Sequence, residues 1–434
     1  MHKFLEKQFR LSEYGTNVRT EFFAGLTTFV TMAYVLATVP NILSTAGLDK
    51  HVTMTIMVML IVLTSCAMAL YTNRPFALAP GLGSVGIVAS MIANEGIPAD
   101  IAAGVIFWSG VLFILISFLG LREAVVKVIP VSLKHAVTAG IGLFIALLGA
   151  KGCGLIVANA AKNTLAFGDL TSPKVAVCLI GFVILLFMKV RKVPGGMILT
   201  ILLTTLVGIP FGVTKLPESI FSMPANIGER FLQVDFVGSL NFAYIPFLIA
   251  LFIPDFFSTF GTVLGVGAKA GYLDENGNLP GIDKCFQVDA VATSFGALFG
   301  MPSMTTYLES SAGVEAGGKT GLTVVFTSLF FILSLFLAPL ALIIPSAATA
   351  PVLIFIGVNM LGGMRNIHYE DMTEAFPAFV CVTFTIFANN IANGICAAIP
   401  TYVLMKLFAG EGKKITPVMY VLVAVCMLYF ATIL

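Results

Sequence analysis

Two carboxylates lie inside long apolar stretches of this sequence, where a charged group is hardest to accommodate. Glu309 follows a proline and a run of small hydroxyl residues in MPSMTTYLESSAG, residues 301–313. Asp255 follows Pro254 in FLIALFIPDFFSTFGTVLGVG. An ionised carboxylate is costly in hydrocarbon, so both side chains are expected to face a wet cavity. Two carboxylates in one cavity could accept hydrogen bonds from a ring that carries N–H groups, and one of them could also carry a proton.

Each acid also has a structural explanation, which the sequence leaves open. Glu309 could cap a helix or form a hydrogen bond between helices. Asp255 comes directly after a proline, as acids in the first turn of a helix often do, where the helix dipole favours a negative charge. The structural alternative is therefore stronger for Asp255 than for Glu309.

The elements that position these acids are membrane spans. Of the 434 residues, 58% are hydrophobic and only 11% are charged, and the mean hydropathy is +1.00. A soluble protein needs far more charge on its surface. Apolar runs of about 20 residues, each long enough to cross a bilayer, recur along the whole chain. The sequence therefore predicts an all-α polytopic membrane protein, and residues 1–23 lack the pattern of a signal peptide.

Two pairs of segments indicate an internal repeat. AVTAGIGLFIALLG at 136–149 aligns with AATAPVLIFIGVNM at 347–360, and the offset of 211 is close to half the chain. RPFALAPGLGSVG at 74–86 and GMPSMTTYLES at 300–310 are both broken by proline and have matching places in the two halves. We predict about 14 transmembrane segments in two repeats of seven. Repeats with an odd number of spans have opposite orientations, so these are inverted repeats.

The two proline breaks predict where a substrate would bind. Proline and glycine in mid-membrane leave backbone N–H and C=O groups without helical partners, which is tolerated only where protein or a wet cavity satisfies them. Two breaks at matching positions of inverted repeats indicate a substrate site near the middle of the bilayer. Glu309 lies just after the second break and therefore beside that site.

The distribution of basic residues predicts the orientation in the membrane. With the N-terminus in the cytoplasm, 15 Lys and Arg residues fall inside and nine outside, as the positive-inside rule requires. Lys406, Lys413 and Lys414 are among the nine. If residues 374–409 formed a hairpin of two short spans, these three would move inside and the C-terminus would move outside. Both topologies stay open, and both predict a multi-pass protein of the plasma (inner) membrane with a cytoplasmic N-terminus.

Two matches to soluble-enzyme motifs are weak in this context. GVEAGGKT at 313–320 fits the letters of a phosphate-binding P-loop, and GLGSVG at 81–86 fits those of a dinucleotide-binding turn. Both lie in or between membrane spans, without the strand and helix that such loops need. The four histidines lie near span ends and form no metal-ligand pattern. We therefore expect no enzyme activity, no cofactor, no metal and no nucleic-acid partner.

The same stretches resemble a known family over essentially the whole chain. The similarity is carried by EFFAGLTTFVTMAYVL, PFALAPGLG, DFFSTFGTVLGV, DAVATSFGALFG, TTYLESSAGVEAGGKTGLT and ATAPVLIFIGV, and the block around Glu309 is the most specific of them. They resemble the nucleobase–cation symporter-2 family, in particular its azaguanine-resistance branch of hypoxanthine, adenine and guanine permeases.

This resemblance implies an architecture and a transport mechanism. The repeats, residues 1–213 and 214–434, would divide between a core domain (spans 1–4 and 8–11) and a gate domain (spans 5–7 and 12–14) that rock against each other. Spans 3 and 10 would each hold a short extended segment. A purine nucleobase would bind between these segments, and protons would drive its uptake. A homodimer is left open.

The resemblance also implies which residues bind the base. Glu309 in span 10 and Asp255 in span 8 would contact it, and both are candidates for proton coupling. Phe256 is a candidate for an apolar wall on which the ring packs. Thr305 and Thr306, just before Glu309, are further candidate contacts.

Two positions depart from the pattern of this branch. After APGLG the branch usually continues Leu-Asn-Ala, but here Ser84 and Val85 follow, so Val85 replaces a substrate-contacting Asn. Span 8 usually has a second acid three residues after the first, where this chain has Ser258. Ser84 and Ser258 could partly replace the lost polar contacts. The leading hypothesis is a proton-coupled purine importer; the alternatives are an anion transporter or exchanger, which the carboxylates disfavour, or a permease for another small heterocycle.

Overall fold

Helices account for most of the chain. The computed structural model describes residues 2–119, 130–159, 164–193, 195–217, 219–272, 279–388 and 391–433. The helices described are α1 (His2–Phe9), α2 (Val18–Met32), α3 (Val35–Ser44), α4 (Lys50–Thr72), α5 (Leu82–Ala93), α6 (Ala99–Phe118), α7 (Val131–Cys153), α8 (Pro173–Val190), α9 (Gly196–Val207), α10 (Ile245–Lys269), α11 (Ile282–Ala297), α12 (Ser310–Glu315), α13 (Gly321–Phe336), α14 (Ala338–Leu342), α15 (Ser346–Leu361), α16 (Met372–Phe387), α17 (Ile391–Phe408) and α18 (Pro417–Ile433). The strands described are β1 (Leu78–Pro80), β2 (Ile156–Asn159), β3 (Thr164–Phe167) and β4 (Met304–Thr306).

The predicted all-α membrane fold is confirmed. Among the described residues, seven helical stretches are long and apolar enough to cross a membrane, and five shorter apolar helices accompany them. Span 1 comprises α2 and α3, and spans 3 and 10 are the strand–helix units β1–α5 and β4–α12. The short β2–β3 hairpin lies between α7 and α8.

Polar caps fix the ends of the spans. α4 begins after Asp49, whose side chain accepts a hydrogen bond of 2.8 Å from the Val52 N–H. It ends at Asn73, which has a left-handed backbone with φ of 50°. The Asn73 side chain then donates to the Phe9 carbonyl at 2.9 Å and accepts from the Gly321 N–H at 3.0 Å. Asn73 thus ends α4 and links α4 to α1 and α13 by hydrogen bonds.

Equivalent helices of the two halves pack against each other in opposite directions. α7 and α15 carry the two similar sequence segments, and glycines let their backbones meet. A Cβ atom on Gly142 would lie 2.9 Å from the Gly357 carbonyl, and one on Gly149 would lie 3.1 Å from the Ala350 carbonyl. Helices approach this closely only where small residues face each other. Because the numbering rises along α7 as it falls along α15, the predicted inverted repeat is confirmed.

The extended segments expected in spans 3 and 10 are present and pair with each other. β1 and β4 form a two-stranded antiparallel sheet. Just beyond them, the Gly81 N–H donates to the Ser303 carbonyl and the Tyr307 N–H donates to the Ala77 carbonyl, both at 2.9 Å. The backbone groups that the proline breaks release from helices are therefore satisfied by the opposite break.

The helices pack in two groups. In the first group, α2 and α4 pack on α13, while α6 packs on α10 and α11. In the second group, α7 packs on α15 and α16, and α8 and α9 pack on each other and on α15. The linker between the repeats binds to the first group, because the Arg230 guanidinium donates to Thr53 Oγ1 and to the Gly300 carbonyl, both at 3.0 Å.

The segment after α15 forms a helical hairpin. α16 ends at Phe387, α17 begins at Ile391, and the two helices pack along each other. Lys406, near the end of α17, lies 3.6 Å from the Asp371 carboxylate just before α16 and 2.8 Å from Glu411. Lys406 is therefore on the same side of the membrane as the start of α16. Of the two topologies that the sequence left open, this geometry favours the hairpin.

The stretch that resembles a P-loop binds a carboxylate of the protein itself. Glu21, which is fully buried on α2, accepts hydrogen bonds from the backbone N–H groups of Lys319 at 3.0 Å, Thr320 at 3.4 Å and Thr323 at 3.1 Å. These N–H groups belong to the N-terminus of α13, whose dipole favours a negative charge. Glu21 thus fills the N-terminus of α13 and joins α2 to α13.

Candidate functional site

Glu309 lies where the extended segment of span 10 passes into α12. Its Oε1 accepts a hydrogen bond of 2.7 Å from the hydroxyl of Tyr34, which lies at the break between α2 and α3. The side chain does not cap α12. Glu309 is partly exposed as a residue, and its neighbour Leu308 is 59% exposed. Of its structural alternatives, helix capping is therefore wrong, whereas a hydrogen bond between helices is present.

A lysine from the second group of helices also acts on Glu309. Lys189, in the last turn of α8, attracts the Glu309 carboxylate electrostatically. Its ammonium nitrogen lies 4.6 Å from the centroid of the Phe355 ring on α15, a distance at which cation–π attraction holds a lysine in place. Among the described residues Lys189 and Glu309 form no ion pair, so this attraction acts over a longer distance than a salt bridge.

Two further acids are buried behind β4. Asp255 on α10 is 5% exposed, and Asp289 on α11 is completely buried. Thr293 Oγ1 donates to Asp255 Oδ2 at 3.0 Å, and Thr259 Oγ1 donates to Asp289 Oδ2 at 2.8 Å. The two carboxylates repel each other electrostatically. Among the described residues, neither forms an ion pair with a basic side chain.

Hydroxyl groups on β4 connect these acids to the segment that carries Glu309. Thr306 Oγ1 donates to Asp289 Oδ1 at 3.2 Å, and Thr305 Oγ1 lies 2.9 Å from Thr259 Oγ1. Within the part of the chain that the structure describes, Asp255 Oδ1 is buried without a hydrogen-bond partner. An acid pair that lacks a compensating cation can hold a proton, because a second buried negative charge is costly.

Four of the predicted site residues lie close together in the structure. Glu309, Asp255, Thr305 and Thr306 lie on β4 or beside it. Phe256 is completely buried, and the centroids of Phe113, Phe252 and Phe286 lie 5.4–5.6 Å from that of its ring. It therefore belongs to an aromatic cluster, and its contact with a substrate stays a prediction.

The two positions that depart from the family pattern differ in exposure. Val85 is completely buried in the first turn of α5, whereas Ser258, one turn after Asp255 on α10, is exposed. Ser84 Oγ donates to the Gly81 carbonyl at 2.8 Å, so its hydroxyl stabilises the start of α5. The roles of these residues in binding stay predictions.

Sequence reasoning missed two members of the site. Asp289 is the first residue of DAVATSFGALFG, and it is a single acid at the start of an apolar run. That signal is the same as the one that identified Asp255 and could have found it. Tyr34 ends the stretch EFFAGLTTFVTMAY, where a tyrosine among apolar residues gives no comparable signal.

The fold and the site define a multi-pass membrane transporter with acids in its centre. A family profile described as "Permease family" matches residues 19–396. The chain therefore belongs to this family, the nucleobase:cation symporter-2 permeases, whose members are transporters rather than enzymes.

Individual relatives match over nearly their whole length. The chain is 39% identical to a putative permease of Methanocaldococcus jannaschii, over 99% of this chain and 98% of the relative. It is 36% identical to the adenine permease AdeP of Escherichia coli strain K12, over 95% and 93% of the two chains. It is 33% identical to the guanine/hypoxanthine permease GhxP of Escherichia coli O157:H7, over 98% and 96%.

Solved structures share the fold at low sequence identity. The transmembrane domain of the cyanobacterial bicarbonate transporter BicA superposes with a TM-score of 0.66 at 16% identity, over 88% of this chain and 97% of that domain. Murine Slc26a9, an anion transporter, superposes with a TM-score of 0.66 at 11% identity, over 94% of this chain and 72% of its own. At these identities the likeness concerns the fold alone.

Proposed function

We propose that this chain imports purine nucleobases by proton symport, through alternating access. The observation that carries the proposal is the group of three acids around one short strand pair: Glu309 just after β4, and Asp255 and Asp289 buried behind it on α10 and α11. Relatives named as adenine and guanine/hypoxanthine permeases support the substrate class. Acids at the centre disfavour an anion as substrate, although anion transporters share the fold.

Glu309 is our candidate for recognition of the base. A purine is planar and presents N–H groups at its edge, which a carboxylate accepts in strong, charge-assisted hydrogen bonds. Tyr34 holds Glu309 Oε1 in a fixed direction. The exposed side chain of Leu308 offers an apolar surface for the face of the ring. Such a division between a few placed polar groups and an apolar lining is typical of small-molecule sites.

The Asp255–Asp289 pair is our candidate for the proton site. Two acids that repel each other in a buried place are more stable when one of them is protonated. Thr305 and Thr306 connect the pair to the strand that leads to Glu309. A change in the charge of the pair would therefore be transmitted through these hydroxyls to the substrate-binding segment.

Alternating access would arise from rocking of the two groups of helices. In this proposal the first group, with β1 and β4, would be the core domain that the family resemblance implies, and the second group would be the gate domain. Small residues of α5 face the gate: Gly83 lies against Ile141, and Gly86 against Phe144. A surface of glycines can slide with little steric resistance, which suits an interface that must move. We place the N-terminus in the cytoplasm and the chain in the plasma membrane.

Uptake in cells that lack their own purine permeases tests the proposal. Radiolabelled adenine, guanine, hypoxanthine, xanthine and uracil are offered singly, each with and without a protonophore. We expect one or more purines to accumulate, and the accumulation to collapse when the proton gradient is removed. If no base accumulates while folded protein is present in the membrane, the substrate class is wrong. If accumulation persists with the protonophore, proton coupling is wrong.

Variants of the acids separate recognition from coupling. Glu309→Gln keeps the size of the side chain but removes the charge that accepts from the base, so it is expected to weaken binding of the base. Asp289→Asn keeps the size but cannot exchange a proton, so it is expected to abolish concentrative uptake while the base still binds. Glu315→Gln is the matched control, because Glu315 ends the same short helix but is 63% exposed. Normal proton-driven accumulation by both Asp289→Asn and Asp255→Asn would show that the buried pair is not the proton site.

A further inference from the structure

A groove of about 410 Å³ lies on the outside of the first helix group, away from the acids. It is lined by residues of α4, α6 and α11, among them Leu63, Phe118 and Val291. This volume is within the range of sites that hold small molecules. The three side chains are 48%, 60% and 47% exposed, so the groove opens towards the surface that faces the membrane.

α11 separates this groove from the proposed transport site. Gln287, Val288 and Val291 line the groove, whereas Asp289 and Thr293 on the same helix bind the hydroxyl and acid network. A molecule in the groove would therefore press on the back of the helix that carries Asp289.

One end of the groove has polar and positive groups. The Tyr71 hydroxyl donates to Gln287 Oε1 at 3.2 Å and bridges α4 to α11. The Lys284 ammonium lies 5.5 Å from the centroid of the Tyr71 ring, within cation–π range. These residues lie at the end of α4 and the start of α11, where both helices leave the apolar layer. Asp283, the neighbour of Lys284, is also exposed. The Lys284 side chain points towards Tyr71, so the charge beside this end of the groove is positive.

We propose that this groove binds an anionic phospholipid, with an acyl chain between α4 and α11 and the headgroup phosphate at Lys284. The long apolar part matches a hydrocarbon chain, and the ammonium group of Lys284 at its polar end matches an anionic headgroup. Basic pockets between membrane helices bind anionic headgroups in this way. The lipid fills the space behind α11 and supports the position of Asp289.

Native mass spectrometry of the purified protein tests this site. The protein is stripped of lipid in detergent and offered equal amounts of phosphatidylglycerol and phosphatidylcholine with the same acyl chains. Lys284→Gln removes the cation, and Val291→Trp fills the groove from an exposed position. Lys192→Gln and Val183→Trp are the matched controls, because Lys192 is an exposed lysine elsewhere and Val183 is 67% exposed on α8.

We expect the wild type to retain phosphatidylglycerol in preference to phosphatidylcholine. Lys284→Gln should lower this preference about fivefold, the factor expected for one basic residue near an anionic headgroup. Val291→Trp should lower the retention of both lipids, and the two controls should behave as the wild type. Equal retention of both lipids by the wild type would overturn the proposal, as would unchanged retention in either groove variant. The readout is independent of transport, so this result does not depend on the proposed substrate.

Discussion

Removal of one hydroxyl group should weaken substrate binding measurably. Tyr34→Phe deletes the group that donates to Glu309 Oε1 at 2.7 Å and leaves the ring, which is only 2% exposed, in place. A hydrogen bond to a charged group contributes about 1.5–3 kcal/mol, which corresponds to roughly 10- to 140-fold in a dissociation constant. Glu309 is partly exposed, so in the empty protein water replaces part of the lost hydrogen bond. In the bound protein the base excludes that water, so the variant loses more stability when the base is bound than when the site is empty. We therefore expect the dissociation constant of the base to rise about tenfold in Tyr34→Phe.

The assay is equilibrium binding of the radiolabelled base that uptake identifies, with protein purified in detergent. Tyr402→Phe is the control, because Tyr402 is also a buried tyrosine but lies on α17, away from Glu309. Its affinity should stay within about twofold of the wild type. If Tyr34→Phe binds as tightly as the wild type and unfolds at the same temperature, Tyr34 does not orient Glu309 for binding. If both variants lose affinity equally, the loss comes from general destabilisation.

Three other changes test the fold and the site. Glu21→Gln should lower the unfolding temperature clearly, since about 1–3 kcal/mol is lost for each N–H group of α13 left unsatisfied; Glu13→Gln, whose side chain is 61% exposed, should not. Hydrogen bonds from the Thr373 hydroxyl and N–H lower the pKa of Asp371, so its stabilising effect is present above about pH 4 and is lost as the pH falls below that value. Asp371→Asn should therefore make the unfolding temperature depend less on pH between about pH 5 and 3. Val85→Asn should change which bases compete for uptake, and an unchanged competition profile would mean that Val85 does not line the pocket.

Local patterns were sufficient for the framework of the site. The prolines near Leu78 and Met304 predicted breaks in two spans, because a proline cannot continue the helical hydrogen bonding. Glu309 and Asp255 were found because an isolated acid in an apolar run is costly. The similarity between residues 136–149 and 347–360 predicted the inverted repeat, which the antiparallel packing of α7 on α15 confirms.

Contacts between distant segments could not be predicted in the same way. Phe256 was expected to form a pocket wall, and that contact stays a prediction, because neighbouring residues on a helix point about 100° apart and the sequence does not fix which of them faces the site. The structure turns Asp255 towards Thr293 and packs Phe256 among other rings. Likewise, a tyrosine at position 34 gains its role only because the break between α2 and α3 lies opposite Glu309.

The sequence by itself determined the membrane class, the repeat, the breaks and two of the three acids, because each depends on hydropathy or on residue types that are adjacent in the chain. Only the tertiary structure decided that β1 and β4 pair, that Asp289 joins Asp255 and that Glu21 fills the N-terminus of α13. Each of these depends on the direction of a side chain and on which helices pack together. The physical reason is that a buried charge needs a partner, and the partner is chosen by packing across the bundle rather than by position in the chain.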